Sequence, residues 1–179
     1  GVQAPMKITP KGSYFLSYRF LLSDNFKFSN KDQFVYLPGL GSGENCMNCV
    51  RCTGNNGFNA RLILKANGKA SLMMSDMEKR NLCGEEYSLK AYNGNDFQFE
   101  RGRWHHVVMK VKVNTGHHLD GEVEVWLDGK PAVTVAAIKM VTNGGKVDNL
   151  FFSSYFQSTS PNDGPANDQS IWFDDVLVT

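Results

Sequence analysis

GRWHHVVMKVKVNTGHHLDGEVEVWLDGKPAVTV, from Gly102 to Val135, decides the fold class. Between Trp104 and Val113 two sets of side chains alternate. His105, Val107, Met109, Val111 and Val113 form the more apolar set; Trp104, His106, Val108, Lys110 and Lys112 form the more polar one. A period of two is that of a β-strand with one face against a core, and the first set is the expected core face. Asn114-Thr115-Gly116 opens a loop. Glu122, Glu124, Trp126 and Asp128 then alternate with Val123, Val125 and Leu127, and Asp128-Gly129 is a strong two-residue hairpin signal. The stretch therefore reads as three antiparallel strands. A face bearing Glu, Glu, Trp and Asp is either a sugar-holding face or the outer cover of an ordinary sandwich.

The same reading extends outward. In Tyr14–Leu22 the set Tyr14, Leu16, Tyr18, Phe20 and Leu22 is apolar or aromatic and is expected inside. Phe34–Leu37 predicts a short strand ending at Pro38-Gly39, and Gly39–Phe58 a long loop rich in Gly, Asn and Cys. Asn59–Lys65 predicts a strand with Arg61, Ile63 and Lys65 on one side, joined by Asn67-Gly68 to a partner at Lys69–Met74. Ser75–Gly84 is the one candidate for a short helical turn. Leu150–Tyr155 and Ser170–Val178 predict late strands around a Ser/Pro/Asn/Gly loop at Gln157–Asp168. With no sustained helical period and about ten to thirteen short strands, the chain reads as all-β: a β-jelly roll, or concanavalin-like sandwich, of two antiparallel sheets. Its terminal strands are expected to pair side by side.

The 179 residues suit one domain, residues 1–179, and 41% hydrophobic with 21% charged residues suffices for a core. Nineteen basic residues balance eighteen acidic ones, a net charge of +1, which argues against a nucleic-acid partner held by bulk electrostatics. There is no apolar run long enough for a membrane-spanning helix. Gly1–Lys11 lacks the apolar centre of a signal peptide, so a secreted protein is expected in mature form. No N-glycosylation sequon occurs. The sequence leaves the oligomeric state open.

Four cysteines, Cys46, Cys49, Cys52 and Cys83, predict two disulfides, with three pairings possible. The competing reading is a metal or iron–sulfur loop, because C-x-x-C-x-x-C has that spacing; its fourth ligand would be the distant Cys83. Disulfides imply an oxidising compartment and hence secretion. No cofactor is expected. Asp174-Asp175 is a weak calcium candidate. Adjacent histidines on a strand point to opposite faces, so neither His105-His106 nor His117-His118 chelates a metal as a strand pair.

Trp104-His105-His106-Val107-Val108 followed by the Val125-Trp126-Leu127-Asp128-Gly129 hairpin is similar to many concanavalin-like sandwiches. A second set is more specific. Leu37-Pro38-Gly39-Leu40, Cys52-Thr53-Gly54-Asn55, Phe58-Asn59-Ala60-Arg61, Asn67-Gly68, Val113-Asn114-Thr115, Phe152-Ser153-Ser154-Tyr155-Phe156 and Phe173-Asp174-Asp175 resemble alginate and glucuronan lyases of the polysaccharide lyase 14 and 20 type. The resemblance spans about Tyr14 to Val178. It implies a jelly roll whose groove takes an acidic polysaccharide, and a β-elimination. In that chemistry a basic or polar group neutralises the C6 carboxylate, a base removes the C5 proton and an acid protonates the leaving oxygen. The family's groups are thought to include the lysine of K-L-P-G and two tyrosines on the strand after the N-G turn.

This chain departs at those places. Tyr36 precedes Leu37, the nearest upstream lysine is Lys31, and Lys69–Ser75 holds no tyrosine in either parity. Groups that act as a unit usually carry nearly all of the rate together. The expected function is therefore lectin-like binding of an acidic polysaccharide without cleavage. The ligand-binding candidates are Arg61 and Lys65 as a carboxylate clamp, with Asn59, Tyr36, Trp126 and Glu124. Each has a bland alternative, a solvated sheet face for the clamp and packing for the aromatics. One functional alternative is an active polyuronate lyase in which Tyr36 or His106 replaces the missing groups. Another is an extracellular interaction protein that uses the cysteine loop. A site composed of all these residues requires Arg61, Tyr36 and Trp126 to share one concave surface; Trp126 is expected beside Arg61 on the same sheet face, or it is only packing.

Overall fold

The computed structural model describes residues 1–28, 34–43, 46, 49–142, 144–157 and 168–179. Among these, twelve strands run in chain order: β1 Val2–Lys11, β2 Ser13–Leu22, β3 Phe34–Ser42, β4 Phe58–Leu64, β5 Ala70–Ser75, β6 Glu85–Ser88, β7 Trp104–Lys112, β8 Gly121–Leu127, β9 Lys130–Ile138, β10 Val147–Ser154, β11 Phe156–Gln157 and β12 Ile171–Val178. They form two antiparallel sheets. The seven-stranded sheet has the order β1-β10-β3-β4-β5-β6, with β11 pairing to β3. The five-stranded sheet has the order β12-β2-β7-β8-β9. The all-β sandwich is as expected.

Alternation places the core. Leu16, Tyr18 and Phe20 of β2, Val107, Met109 and Val111 of β7, and Val123, Val125 and Leu127 of β8 are buried against Leu40, Leu62, Leu64, Leu72, Met74 and Leu150 of the other sheet. His105 shares this face and is buried. Its Nδ1 lies 3.0 Å from Asp128 Oδ2 and its Nε2 accepts the Glu100 amide at 2.9 Å. A buried polar ring is tolerated only when both nitrogens are engaged in this way. Asn114, also buried, donates to the Gly116 and Val141 carbonyls and accepts the Met140 and Val141 amides, which ties the loop after β7 to the segment after β9.

The two hairpin signals form as read. Asn67 and Gly68 have φ of 59° and 76°, and Asp128 and Gly129 have 50° and 79°, the left-handed pairs that match strand twist. Three expectations change. β3 does not stop at Pro38-Gly39 but runs to Ser42, because a bulge between Tyr36 and Gly39 takes the proline out of the hydrogen-bond ladder. Ser75–Gly84 forms no helical turn, and a 3-10 turn at Ala66–Gly68 is the helical element among the described residues. The terminal strands do not pair with each other: β1 pairs with β10 in one sheet and β12 with β2 in the other. Most of Gln157–Asp168, and Lys31, lie outside the described residues.

The cysteines form the two disulfides Cys46–Cys52 and Cys49–Cys83, one of the three pairings left open. Together they staple the β3–β4 loop to itself and to the segment between β5 and β6.

Candidate functional site

The two faces of the seven-stranded sheet are both largely withdrawn from solvent at β4 and β5, whose residues are buried throughout. Ala60, Leu62 and Leu64 join the core. Asn59, Arg61 and Ile63 point the other way, as do Ser71, Met73 and Ser75 on β5. One cross-strand row on this outer face reads Glu86, Met73, Arg61, Gly39, Phe151, Pro5, each opposite the next. The adjacent row reads Ser75, Asn59, Gly41, Asn149, Lys7.

Arg61 is the centre of this face. Its side chain is 4% exposed, and its guanidinium carbon lies 4.3 Å from the Phe151 ring centre and 5.2 Å from that of Tyr36. Gly39 makes this possible. A Cβ there would run into the Ala60 carbonyl oxygen and come within 2.7 Å of Arg61 Cγ, so only a glycine leaves the arginine a path across β3 to Phe151. Tyr155 completes the cluster. Its ring centre is 5.0 Å from that of Tyr36, its carbonyl accepts the Tyr36 amide, and its side chain hydrogen-bonds Arg61.

The electrostatics follow from burial. Burial pushes the Tyr36 phenol up to about 12; neighbouring Tyr155 adds to the rise, Arg61 opposes it and Glu86 adds to it. Burial also pulls Arg61 down from the usual guanidinium range, against the two tyrosines, yet arginine remains charged at neutral pH. The face therefore holds a fixed positive charge beneath two aromatic rings, one of which is a neutral phenol.

Of the residues singled out in the sequence, Arg61, Tyr36, Asn59 and Lys65 share this face. Arg61 is not the solvated residue of the bland reading. Lys65 sits towards the edge, where its Nζ pairs with Glu86 at 2.6 Å, so that cation is engaged by the protein itself.

Trp126, Glu124 and His106 do not join them. They lie on the outer face of the five-stranded sheet, across the core from Arg61. Trp126 stacks on Phe15 at 6.5 Å, Lys110 holds Glu124 at 2.5 Å, and His106 Nε2 lies 2.9 Å from Ser17 Oγ. Strand parity fixes which face of a sheet a side chain takes, but not which of two sheets the strand enters. The expectation that Trp126 sits beside Arg61 is therefore wrong. Asp174 and Asp175 also lie in the five-stranded sheet, where Asp175 pairs with Arg19 at 3.4 Å. Among the described residues no group of three or more His, Cys, Asp or Glu is placed to hold a metal ion.

The sequence reading gave no role to Tyr155, Phe151 or Gly39. A signal for Tyr155 was present in Phe152-Ser153-Ser154-Tyr155-Phe156, but nothing in that run says that it returns to Arg61.

The two-sheet β-sandwich carries its arginine–tyrosine cluster on the larger sheet. The family model for polysaccharide lyase 14 matches residues 3–176, and the chain belongs to that family. Solved structures agree at the level of the fold. Alginate lyase Aly36B is 18% identical with a TM-score of 0.80, covering 98% of this chain and 72% of its own. The marine alginate lyase from Aplysia kurodai is 21% identical with a TM-score of 0.71, over 94% and 69%. The endo-β-1,4-glucuronan lyase from the fungus Trichoderma reesei is 14% identical with a TM-score of 0.63, over 98% and 73%. No curated protein sequence matches the chain.

Proposed function

We propose that this protein binds an acidic polysaccharide on the outer face of its seven-stranded sheet, around Arg61, and does not cleave it. The observation that carries the reading is the stack of Phe151, Arg61 and Tyr36. A uronate presents a carboxylate beside a pyranose ring with apolar C–H edges. A buried cation beneath aromatic rings suits both parts, because its field is little screened there. Membership of a polysaccharide-lyase family supports a uronan as ligand, and a mutant of the similar Aly36B has been solved with an alginate trisaccharide. Two disulfides fit a secreted, extracellular protein.

The absence of cleavage rests on proton transfer. β-Elimination needs a base for the C5 proton at working pH. Tyr36, with its phenol pushed up to about 12, stays protonated at neutral pH and can donate a hydrogen bond but not take the proton. The outward positions of β5 offer Ser71, Met73 and Ser75, none of which is a base.

One observation favours a second reading, an active polyuronate lyase. Tyr155 places a second phenol within 5.0 Å of the Tyr36 ring and beside Arg61, where a proton could pass. The two readings separate on alginate and glucuronan, since elimination creates an unsaturated sugar that absorbs near the ultraviolet edge. No gain in absorbance is expected; a gain that Tyr155→Phe abolishes would establish the lyase.

A further inference from the structure

We propose that a cavity of about 570 Å³ between the Ala91–Asn95 turn and the β8–β9 turn is a second binding site, for an acidic sugar unit of an anionic glycan. It lies on the segment that joins the two sheets, away from the outer face around Arg61, and the inference does not rest on what that face binds. The floor is apolar, made by Phe97 and Leu127. The rim carries three cations, Lys90, Arg103 and Lys130, against one acid, Asp128, an excess of two positive charges in a chain whose total is +1. Asp96, just outside, is shared by Lys90 at 2.7 Å and Lys69 at 3.0 Å, and Glu100 lies 3.6 Å from Arg103, so counting these neighbours as well leaves an excess of one positive charge.

Asp128 keeps its negative charge but shares it with surrounding donors. Its carboxylate is pulled below the usual range despite burial, and its oxygens accept from the His106 amide at 2.8 Å, His105 at 3.0 Å and Arg103 at 2.9 Å. Lys130 is different: its ammonium lies 5.4 Å from the centre of the Tyr92 ring at the mouth of the cavity.

Tyr92 is the second observation. It is 87% exposed, the most exposed large apolar side chain among those described. It is not on a loose segment. The Ala91 amide donates to the Asn95 carbonyl and the Gly94 amide to the Ala91 carbonyl, both at 2.8 Å, and the Asn95 amide donates to Asn93 Oδ1 at 3.1 Å. A hydrogen-bonded turn that holds an aromatic ring out in water beside a cation offers a flat ligand a stacking surface. The ligand that matches an apolar floor, a projecting phenol and a cationic rim is a ring with C–H faces and a carboxylate or sulfate. A phosphate group alone would use none of the apolar surface.

The test is a titration of the intact chain, labelled with nitrogen-15 and followed by amide resonances, with a mannuronate trisaccharide. Cellotriose and adenosine monophosphate serve as neutral and nucleotide comparators. The amides of residues 91–95, Gly129 and Lys130 are expected to shift saturably with the acidic trisaccharide. Tyr92→Ala and Lys130→Met are each expected to weaken that response by about tenfold, while Arg61→Met leaves it unchanged. Both substituted side chains are exposed, and unshifted resonances elsewhere report an intact fold. Unmoved amides with the acidic trisaccharide overturn the proposal, whatever happens near Arg61. So does an equal or stronger response to cellotriose or to the nucleotide, or full binding by Tyr92→Ala.

Discussion

The guanidinium carbon of Arg61 lies 4.3 Å from the ring centre of Phe151, two strands away, and the residue between them is Gly39. The arrangement depends on the empty position at Gly39. Gly39→Ala is expected to push the arginine off Phe151 and to strain the Ala60 carbonyl, at a cost of about 1–3 kcal/mol, the range for overpacked sites. Chemical denaturation measures the cost, and a fall in glycan affinity should accompany it. An alanine variant as stable as the parent would show that the face can rearrange.

Tyr36 supplies a pH signature. Its phenol is raised to about 12 by burial, whereas an unfolded tyrosine ionises near 10. For a group raised on folding, the stabilisation is fully present below the unfolded value and is lost as pH rises through the folded one. Stability should therefore decline between about pH 10 and about pH 12. Tyr18, fully buried in the core, is raised as well and adds to the same decline. Denaturation midpoints of Tyr36→Phe should fall less steeply over that window; identical slopes would place the phenol in water.

Trp126 and His106 provide the control. Both sit on the five-stranded sheet, so Trp126→Ala and His106→Ala should leave glycan affinity within about twofold, less than 0.5 kcal/mol. Trp126→Ala should still lose the Phe15 stack, about 0.5–1.5 kcal/mol of stability beyond lost burial. A large loss of affinity in either variant would move the binding surface to the other sheet.

How much of this was legible varies with the sheet. The five-stranded sheet has a buried face and a polar face, so alternation in β2, β7 and β8 gave each side chain its direction. β4 and β5 are buried on both faces, and there the same rule is silent: Asn59-Ala60-Arg61 places Arg61 opposite Ala60, but polarity suggests solvent where the structure has Phe151, Tyr36 and Tyr155 around it. Those partners come from β3, β10 and the residue after β10. Their convergence depends on strand order, which no local pattern records. The same gap put Trp126 on the wrong sheet. The hairpins at Asn67-Gly68 and Asp128-Gly129 were readable because left-handed backbone demands those residues. The missing amide of Pro38 fits a bulge as well as a strand end, and local sequence does not separate the two.

The disulfides are expected to contribute unequally. Cys49–Cys83 closes a sequence separation of 34, against 6 for Cys46–Cys52. Loop-closure entropy gives about 3–4 kcal/mol for the first and about 2 kcal/mol for the second. Paired Cys→Ser variants compared by denaturation should show that order. The reverse order would mean that the segment between β5 and β6 is held by other contacts, such as the Lys79 Nζ bond to the Val50 carbonyl at 2.7 Å.

The central claim is that the charge of Arg61 draws an acidic glycan to the outer face of the seven-stranded sheet. Calorimetric titration of a uronate oligosaccharide into the parent, Arg61→Met and Arg61→Lys tests it most directly. The methionine keeps the apolar stem without the charge, and the lysine restores the charge without the planar fork. The expected result is a loss of about tenfold or more in affinity for Arg61→Met, the size of a charged hydrogen bond, with partial recovery in Arg61→Lys. Equal affinity in all three proteins would contradict the account.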